Sequence, residues 1–189
     1  MRTPRRRATY EFAKRSYEFT NRGRASRAAR AYHRRVPTLA PPMSPAQVAF
    51  VEQAVAILVG SCDPAGLPEA VRGVAVMIAP DRTRATVLVP EAIAARTLAN
   101  LRANPRLAVT TADLPTFGTV QLKGDVTAVR AATPDEQPLA DRHRARFARE
   151  FAWAGAALLA ARPVATAPCV ALELSVTAIH TAAPDPLTP

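Results

Sequence analysis

The chain has 189 residues and is 49% hydrophobic, which is enough for one domain with a buried core. Its formal net charge of +10 lies entirely in residues 1–42, which hold 12 Arg or Lys and two acids, while residues 43–189 hold 13 of each sign. No window approaches the roughly 18 uninterrupted apolar residues of a membrane span, and the basic start lacks the apolar segment of a secretory signal, so we expect a cytoplasmic protein without a membrane partner.

Residues 1–42 are Arg-rich, with scattered aromatic residues and no sustained apolar stripe, so they cannot build a core. Three interpretations remain open. The segment is an arm that neutralises phosphates on nucleic acid, a disordered extension, or the product of a start assigned too early. The third rests on "MSPAQVAF", because Ser44 can cap a helix that has Pro45 at its first position.

The middle of the chain alternates between strand and turn patterns. We predict a short helix from Ser44 to about Gln53, then a strand in "AVAILVGSCD" that ends at the turn "DPAGLP". The partner "EAVRGVAVMIAP" predicts one strand continuing to Ala79, and "ATVLVP" predicts a third after the turn "PDRTR". Three strands joined by tight links indicate an antiparallel meander.

Two more helices and three more strands follow. "PEAIAARTLANLRANP" places Ala94, Leu98 and Leu101 at helical spacing and ends at Asn-Pro. "RLAVTTAD" and "TFGTVQLKGDVTAVR" predict strands four and five. "TPDE" has the capping-box pattern, and Pro138 favours a helix that starts only after it, over "LADRHRARFAREFAWAGAALLAA". "CVALELSVTAIH" predicts strand six, and residues 183–189 are expected to be a frayed tail.

These elements predict a mainly β fold with α over residues 43–182: a small closed or partly closed barrel of six antiparallel strands with helices packed outside. The fifth strand has a polar face and an apolar face. Gly124 falls on the apolar face, where a missing side chain permits a bend or close packing as the barrel curves. Gln121 and Lys123 lie on the polar face, which faces either solvent or a ligand.

Few residues have the spacing of a known catalytic motif. The chain contains no G-x-G-x-x-G, P-loop, H-E-x-x-H or G-x-S-x-G sequence. His33, His143 and His180 have neither the spacing nor the neighbours of a metal site, so we expect no metal and interpret them as solvated or structural. Cys62 and Cys169 lack paired spacing, and we interpret them as reduced, mostly buried thiols.

Basic and polar residues at the edges of predicted elements are the candidate binding residues. Arg72 interrupts the second predicted strand. Arg96 and Thr97 lie on the helix after strand three. Gln121 and Lys123 lie on strand five. A groove lined by such groups would suit a phosphate and a planar ring with carbonyl acceptors. Taken one at a time, each is more simply a surface residue.

The order of three segments resembles the pyridoxamine 5'-phosphate oxidase-like split-barrel family: "AILVGSCDPAGLPEAVRGVAV", then "TLANLRANPRLAVT", then "VQLKGDVTAV". The resemblance spans about residues 46–180 and implies a six-stranded antiparallel split β-barrel with flanking helices. It implies a homodimer that binds FMN, or in some members a deazaflavin or haem, in a groove at the subunit interface.

The resemblance also assigns roles to the candidate residues. It places Arg72 at the flavin or its phosphate and Arg96 at the phosphate, with Thr97 at the adjacent position. It places Gln121 and Lys123 beside the isoalloxazine ring. No catalytic residue follows from it.

Three departures from the family argue against a true vitamin B6 oxidase. Met77 stands where the founding oxidases have Lys, and Pro90 and Glu91 replace an aromatic-Thr pair. The substrate-gripping Trp-Arg and Arg-x-His elements have no match near the C-terminus. We therefore expect an FMN-dependent oxidoreductase acting on an unidentified small molecule. The alternatives are a non-catalytic cofactor- or haem-binding protein, and a nucleic-acid-associated protein acting through residues 1–42.

Overall fold

The computed structural model describes residues 40–113, 116–153 and 168–182, which belong to one compact unit, Thr38–Pro189. Within these ranges no helix has the length and apolar character needed to cross a bilayer. The elements in chain order are α1 (Pro45–Gln53), β1 (Ala56–Cys62), β2 (Pro68–Arg72), β3 (Ala75–Ile78), β4 (Arg84–Pro90), α2 (Glu91–Ala103), β5 (Arg106–Ala112), β6 (Thr119–Ala131), α3 (Gln137–Trp153) and β7 (Cys169–Ala182).

The strands form one antiparallel sheet in the order β2-β1-β5-β6-β7-β4-β3. Its two outer strands, β2 and β3, are consecutive in the chain and are joined only by Gly73 and Val74. The Gly73 N–H donates to the Ile57 carbonyl of β1 at 3.0 Å, and the Val74 N–H donates to the Leu88 carbonyl of β4 at 2.8 Å. The two edges of the sheet therefore meet, and the fold is the predicted split barrel with flanking helices.

The strand count differs from the prediction, because the expected second strand, 69–79, is two strands. At Gly73 the chain leaves β1 and turns toward β4. A Cβ at this position would lie 2.5 Å from Ile57 Cγ2, so the bend needs a residue without a side chain. The sequence "VRGVAV" does not reveal this bend at Gly73, because apolar residues continue on both sides of it.

The barrel interior is filled by branched aliphatic side chains. Val59, Val87, Val109, Leu122 and Leu172 are at most 1% exposed. Helix α2 packs against the barrel with the inward face that its spacing predicts: Ala94 and Leu101 are buried, and Leu98 is partly buried against the core. Close-packed side chains of this kind hold the curved sheet at fixed spacing.

Gly124 lies where β6 changes register against β7. Lys123 is the partner of Ala178, whereas Gly124 is the partner of Val176, so Thr177 forms a bulge. A Cβ at Gly124 would overlap the Ser175 carbonyl oxygen of β7. Gly124 thus permits the close backbone approach expected from its place on the apolar face.

The start of α3 corrects the prediction that this helix begins only after Pro138. It begins at Gln137, and Pro138 occupies the first turn, where a missing N–H breaks no helical hydrogen bond. The Glu136 carboxylate accepts from the Thr133 N–H at 2.8 Å, which is half of the predicted capping box. The rest of the predicted helix (154–161), residues 1–39 and the tail at 183–189 lie outside the described residues.

Arg130 connects the start of α3 to two strands. Its Nη1 and Nη2 each donate to the Glu136 carboxylate at 2.7 Å, and its Nε donates to Glu173 of β7 at 2.8 Å. These bonds lower the pKa of Glu136 to about 2, chiefly through the hydrogen bonds from Arg130, and raise the pKa of Arg130. The bidentate geometry favours the ionised carboxylate strongly.

Replacing Gly124 with Ala is expected to destabilise the protein by about 3 kcal/mol, because the new methyl group must displace the β7 backbone. Urea unfolding measures this change. The control is Gly60→Ala, where the nearest atom to the new Cβ, the Ala108 carbonyl oxygen, lies 3.8 Å away. Equal stability losses in both variants would contradict the packing argument.

Glu136→Gln is expected to lower the free energy of unfolding by about 1 kcal/mol at pH 7, since solvent screens this partly exposed pair. The folded-state pKa of Glu136 lies below its ordinary value of 4.5, so the contribution is complete above about pH 4.5 and is lost as the pH falls through about 2. Urea unfolding of both proteins across that range should show the difference vanish. Asp141→Asn, which removes an exposed ion pair of 4.0 Å, should have no measurable effect.

Candidate functional site

The structure places Arg72 and Gln121 in one row on the outer face of the sheet. Direct strand partners define this row: Arg72, Leu58, Thr110, Gln121 and His180. At about 4.8 Å per strand, Arg72 and Gln121 are about 14 Å apart. They share a face without touching.

Gln121 and Lys123 occupy the polar face of β6 that the alternation predicts. The Gln121 Nε2 donates to Thr110 Oγ1 at 2.8 Å, which fixes the orientation of its carboxamide. Lys123 is exposed and makes no ion pair within the described part of the chain. Its strand neighbours, Ala108 and Ala178, are small, so the ammonium group stands on a flat surface.

Arg96 and Thr97 lie elsewhere, on α2. Arg96 Nε is 3.3 Å from the Glu69 carboxylate of β2, and its side chain is 55% exposed. Thr97 is fully buried, and its hydroxyl has no hydrogen-bond partner in the described structure. Glu69 and Arg72 alternate to opposite faces of β2, so the structure does not bring Arg96 and Arg72 together within one protomer.

One candidate site in the described part of the chain is a groove of about 610 Å³ between α3, the end of α1 and β3, hereafter the α3 groove. Its volume lies within the usual range for sites that bind small molecules. It is lined by Glu52, Ala54, Ile57, Ala75, Val76, Met77, Leu139, Arg142, His143, Ala145, Arg146 and Arg149.

One side of the α3 groove is the free edge of β3. Among the described residues, β3 pairs only with β4. The Ala79 N–H donates to the Arg84 carbonyl at 2.9 Å, so by alternation Val76 and Ile78 direct their backbone groups away from β4. The Ile78 N–H donates to Glu52 Oε1 at 2.9 Å. Val76 also lines the groove, and by the same alternation its N–H and carbonyl lie on the side of β3 away from β4.

The opposite wall is α3, which three contacts hold against the barrel. The His143 Nε2 lies 2.8 Å from the Val55 carbonyl oxygen, and the Arg146 Nη1 donates to the Gln53 carbonyl. The guanidinium of Arg72 lies 4.0 Å above the centre of the Phe147 ring. Arg72 therefore supports the wall of the groove from beside it.

Burial lowers the pKa of His143, and the positive charges of Arg72 and Arg146 lower it further, against the opposing effect of the Val55 hydrogen bond. His143 is therefore neutral at pH 7, with the Nε2 proton donated to Val55. Burial also lowers the pKa of Arg72, which nevertheless stays charged, as arginine does in proteins. The groove is thus bordered by arginine cations and a neutral imidazole.

Sequence reasoning named Arg72, which lies beside the α3 groove, and missed the groove itself. The free edge of β3 was hidden because "EAVRGVAVMIAP" was interpreted as one strand. The available signal was on α3, where Arg142, Arg146 and Arg149 recur at i, i+4 and i+7 and so share one helix face. His143 is structural, as expected, through its bond to Val55.

Replacing Arg72 with Gln is expected to raise the pKa of His143, because one of the two nearby positive charges is removed. An NMR titration of the imidazole resonances measures this shift. Arg146→Gln should shift the pKa in the same direction. Arg144→Gln is the control, since Arg144 does not contribute to the shift, and an equal response there would contradict this account.

Comparison with known proteins gives one family. The sequence model for pyridoxamine 5'-phosphate oxidase matches residues 43–182, and no curated protein sequence matches. Solved structures resemble the chain at low identity. A candidate pyridoxamine 5'-phosphate oxidase from Lactobacillus delbrueckii is 12% identical over 75% of this chain and 95% of its own, with a TM-score of 0.48.

Two further similar structures are those of an FMN-binding protein and a FAD-binding protein. An FMN-binding protein from Syntrophomonas wolfei is 11% identical over 71% of this chain and 84% of its own, with a TM-score of 0.43. A FAD-binding protein from Mesorhizobium loti is 15% identical over 74% of this chain and 94% of its own, with a TM-score of 0.38. Because the family match covers most of the sequence, the chain belongs to the pyridoxamine 5'-phosphate oxidase family.

Proposed function

We propose that this protein is a homodimeric flavoprotein that binds FMN in the α3 groove and acts as an oxidoreductase on a small molecule. The observation that carries the proposal is the free edge of β3 facing a basic groove. Family membership and the fold support a cofactor-binding role. The cytoplasmic location and a role for residues 1–42 stay predictions.

The backbone of β3 suits the ring of a flavin. The pyrimidine edge of isoalloxazine alternates carbonyl and N–H groups, and Val76 offers a backbone N–H and carbonyl at the groove. Apolar side chains of Ile57 and Met77 line the same space and would cover the ring faces. The residues of the groove therefore fit the ring portion of the cofactor.

A dimer would account for the separation of the predicted site residues. Gln121 and Lys123 stand on an outer face whose neighbours include small residues and Leu58, which is 52% exposed. An apolar side chain this exposed, on a flat strand surface, favours burial against a second copy. The partner's Gln121 and Lys123 would then approach a cofactor bound beside Arg72.

When bound, FMN supplies the redox chemistry by accepting and donating electrons at its ring. The role of this chain is to hold and tune it. Lys123 or Gln121 would stabilise negative charge on the reduced ring. Arg72, which lies beside the groove, would hold the phosphate, and Arg96 would reach the same phosphate only from a second protomer.

The departures at Met77, Pro90 and Glu91 have structural counterparts that argue against vitamin B6 oxidation. Met77 is partly buried and lines the groove with a thioether where the founding oxidases have an ammonium group. Pro90 gives α2 no side-chain cap, and the Glu91 N–H donates to the Pro168 carbonyl at 2.9 Å. A carboxylate at this helix start disfavours a phosphate there.

The absorption spectrum of the isolated protein, followed by FMN titration, tests the proposal. A yellow preparation that NAD(P)H bleaches supports the oxidoreductase. A yellow protein that no donor reduces would support the non-catalytic alternative, and a Soret band would support haem. A colourless protein that does not quench FMN fluorescence would overturn the proposal.

Ala145→Phe tests the location, because Ala145 is an exposed residue that lines the groove. Filling the groove should weaken FMN binding at least about tenfold, a loss of about 1.4 kcal/mol. Ala95→Phe places the same side chain on the exposed face of α2 and should leave the affinity unchanged. Equal effects would contradict the location.

Arg96→Ala tests the phosphate role separately. If Arg96 holds the phosphate, FMN affinity should fall strongly while riboflavin affinity stays the same, because riboflavin lacks the phosphate. Glu69→Gln is a matched variant, since it removes the ion-pair partner of Arg96 and retains the cation. Unchanged FMN affinity in Arg96→Ala would reject the role.

A further inference from the structure

The wall that α3 contributes to its groove is a row of arginines. Arg142, Arg146 and Arg149 all line the cavity. Their spacing of four and three residues places them on one face of the helix, over a length of about 10 Å at 1.5 Å per residue. Three guanidinium groups thus border one concave surface.

These arginines form no close ion pair in the part of the chain that the structure describes, although Glu150 lies near two of them: burial raises the pKa of Glu150, and the positive charges of Arg146 and Arg149 lower it. None of the ion pairs within 4.0 Å includes Arg142, Arg146 or Arg149. The acid that lines the groove, Glu52, accepts the Ile78 N–H, and Glu150 has a buried carboxylate oxygen without a hydrogen-bond partner.

Arg144 on the same helix provides a contrast. It does not line the groove, and its guanidinium lies 4.0 Å from Asp141. The arginine that does not line the groove is thus the one that forms an ion pair within 4.0 Å. If α3 were only a basic helix facing solvent, there would be no reason for its ion-paired arginine to lie outside the groove and its other three to line it.

We propose that Arg142, Arg146 and Arg149 form an anion-binding row for a small molecule that carries two or more negative charges, as phosphate or carboxylate groups. Guanidinium groups bind these anions through paired N–H donors, and a concave wall reduces solvent competition. The row is long enough for two separate anionic groups. This inference extends the proposed function and does not require a flavin.

Calorimetric titration of the full-length protein with citrate and with pyrophosphate tests the inference, at constant ionic strength of roughly 0.15 M. Arg142→Ala and Arg149→Ala should each weaken binding about tenfold, the cost of one lost charge-assisted hydrogen-bonding group. Arg144→Ala, the matched control, should change the affinity less than about twofold. Arg146 is left intact because it also holds α3 to Gln53.

Two results would overturn the inference: an equal loss in Arg144→Ala, which would indicate nonspecific attraction, or citrate binding no tighter than acetate. Repeating the titration with FMN-loaded protein separates the sources of the anion. Retained citrate binding assigns the row to a second ligand, and lost binding assigns it to the cofactor phosphate. If FMN does not bind but citrate does, the proposed function fails and the anion site stands.

Discussion

The two-residue connection between β2 and β3 is the constraint on which the rest of the structure depends. Gly73 and Val74 donate to carbonyls on β1 and β4, strands that lie near opposite edges of the sheet. A chain this short cannot bridge a flat sheet of seven strands, so the sheet must curl until its edges meet. A curled sheet also requires neighbouring strands to approach closely at some points. Gly124 permits this approach where β6 pairs with β7, because a side chain there would overlap the Ser175 carbonyl.

The same corner creates the candidate site. Once the chain has turned at Gly73, β3 pairs with β4 on one side only, and its other edge faces the space beneath α3. The unpaired N–H and carbonyl groups at a sheet edge are available to hydrogen-bond with another group. Glu52 supplies one for Ile78, and a planar ligand would supply one for Val76.

The arginines of this protein differ in whether they make structural contacts or remain available to bind a ligand. Arg130 is fully used in structure, because two glutamates tie it to β7 and to the start of α3. Arg72 is intermediate, since it stacks on Phe147 and its positive charge adds to the effect of burial in lowering the pKa of His143. Arg142 and Arg149, which line the groove, form no ion pair within 4.0 Å in the described ranges, whereas Arg146 also donates to the Gln53 carbonyl. This difference makes Arg142 and Arg149 the better candidates for binding residues.

The sequence by itself determined the local elements and the family. Alternation, turn residues and helical spacing depend on neighbouring residues, and they correctly indicated an antiparallel barrel with flanking helices, the buried face of α2 and the role of Gly124. The resemblance to the family added that the barrel is a split barrel. The sequence could not show that "EAVRGVAVMIAP" turns a corner, because both halves are apolar and only contacts with β1 and β4 separate them.

Tertiary structure alone decided which polar residues share a surface. Arg72, Arg96 and Lys123 look equivalent along the chain, yet one stacks on α3, one pairs with Glu69 and one stands on the open sheet. Long-range packing sets these positions, because a side chain's neighbours in a barrel come from strands far away in sequence. The α3 groove likewise exists only after residues near 55, 76 and 146 have been brought together.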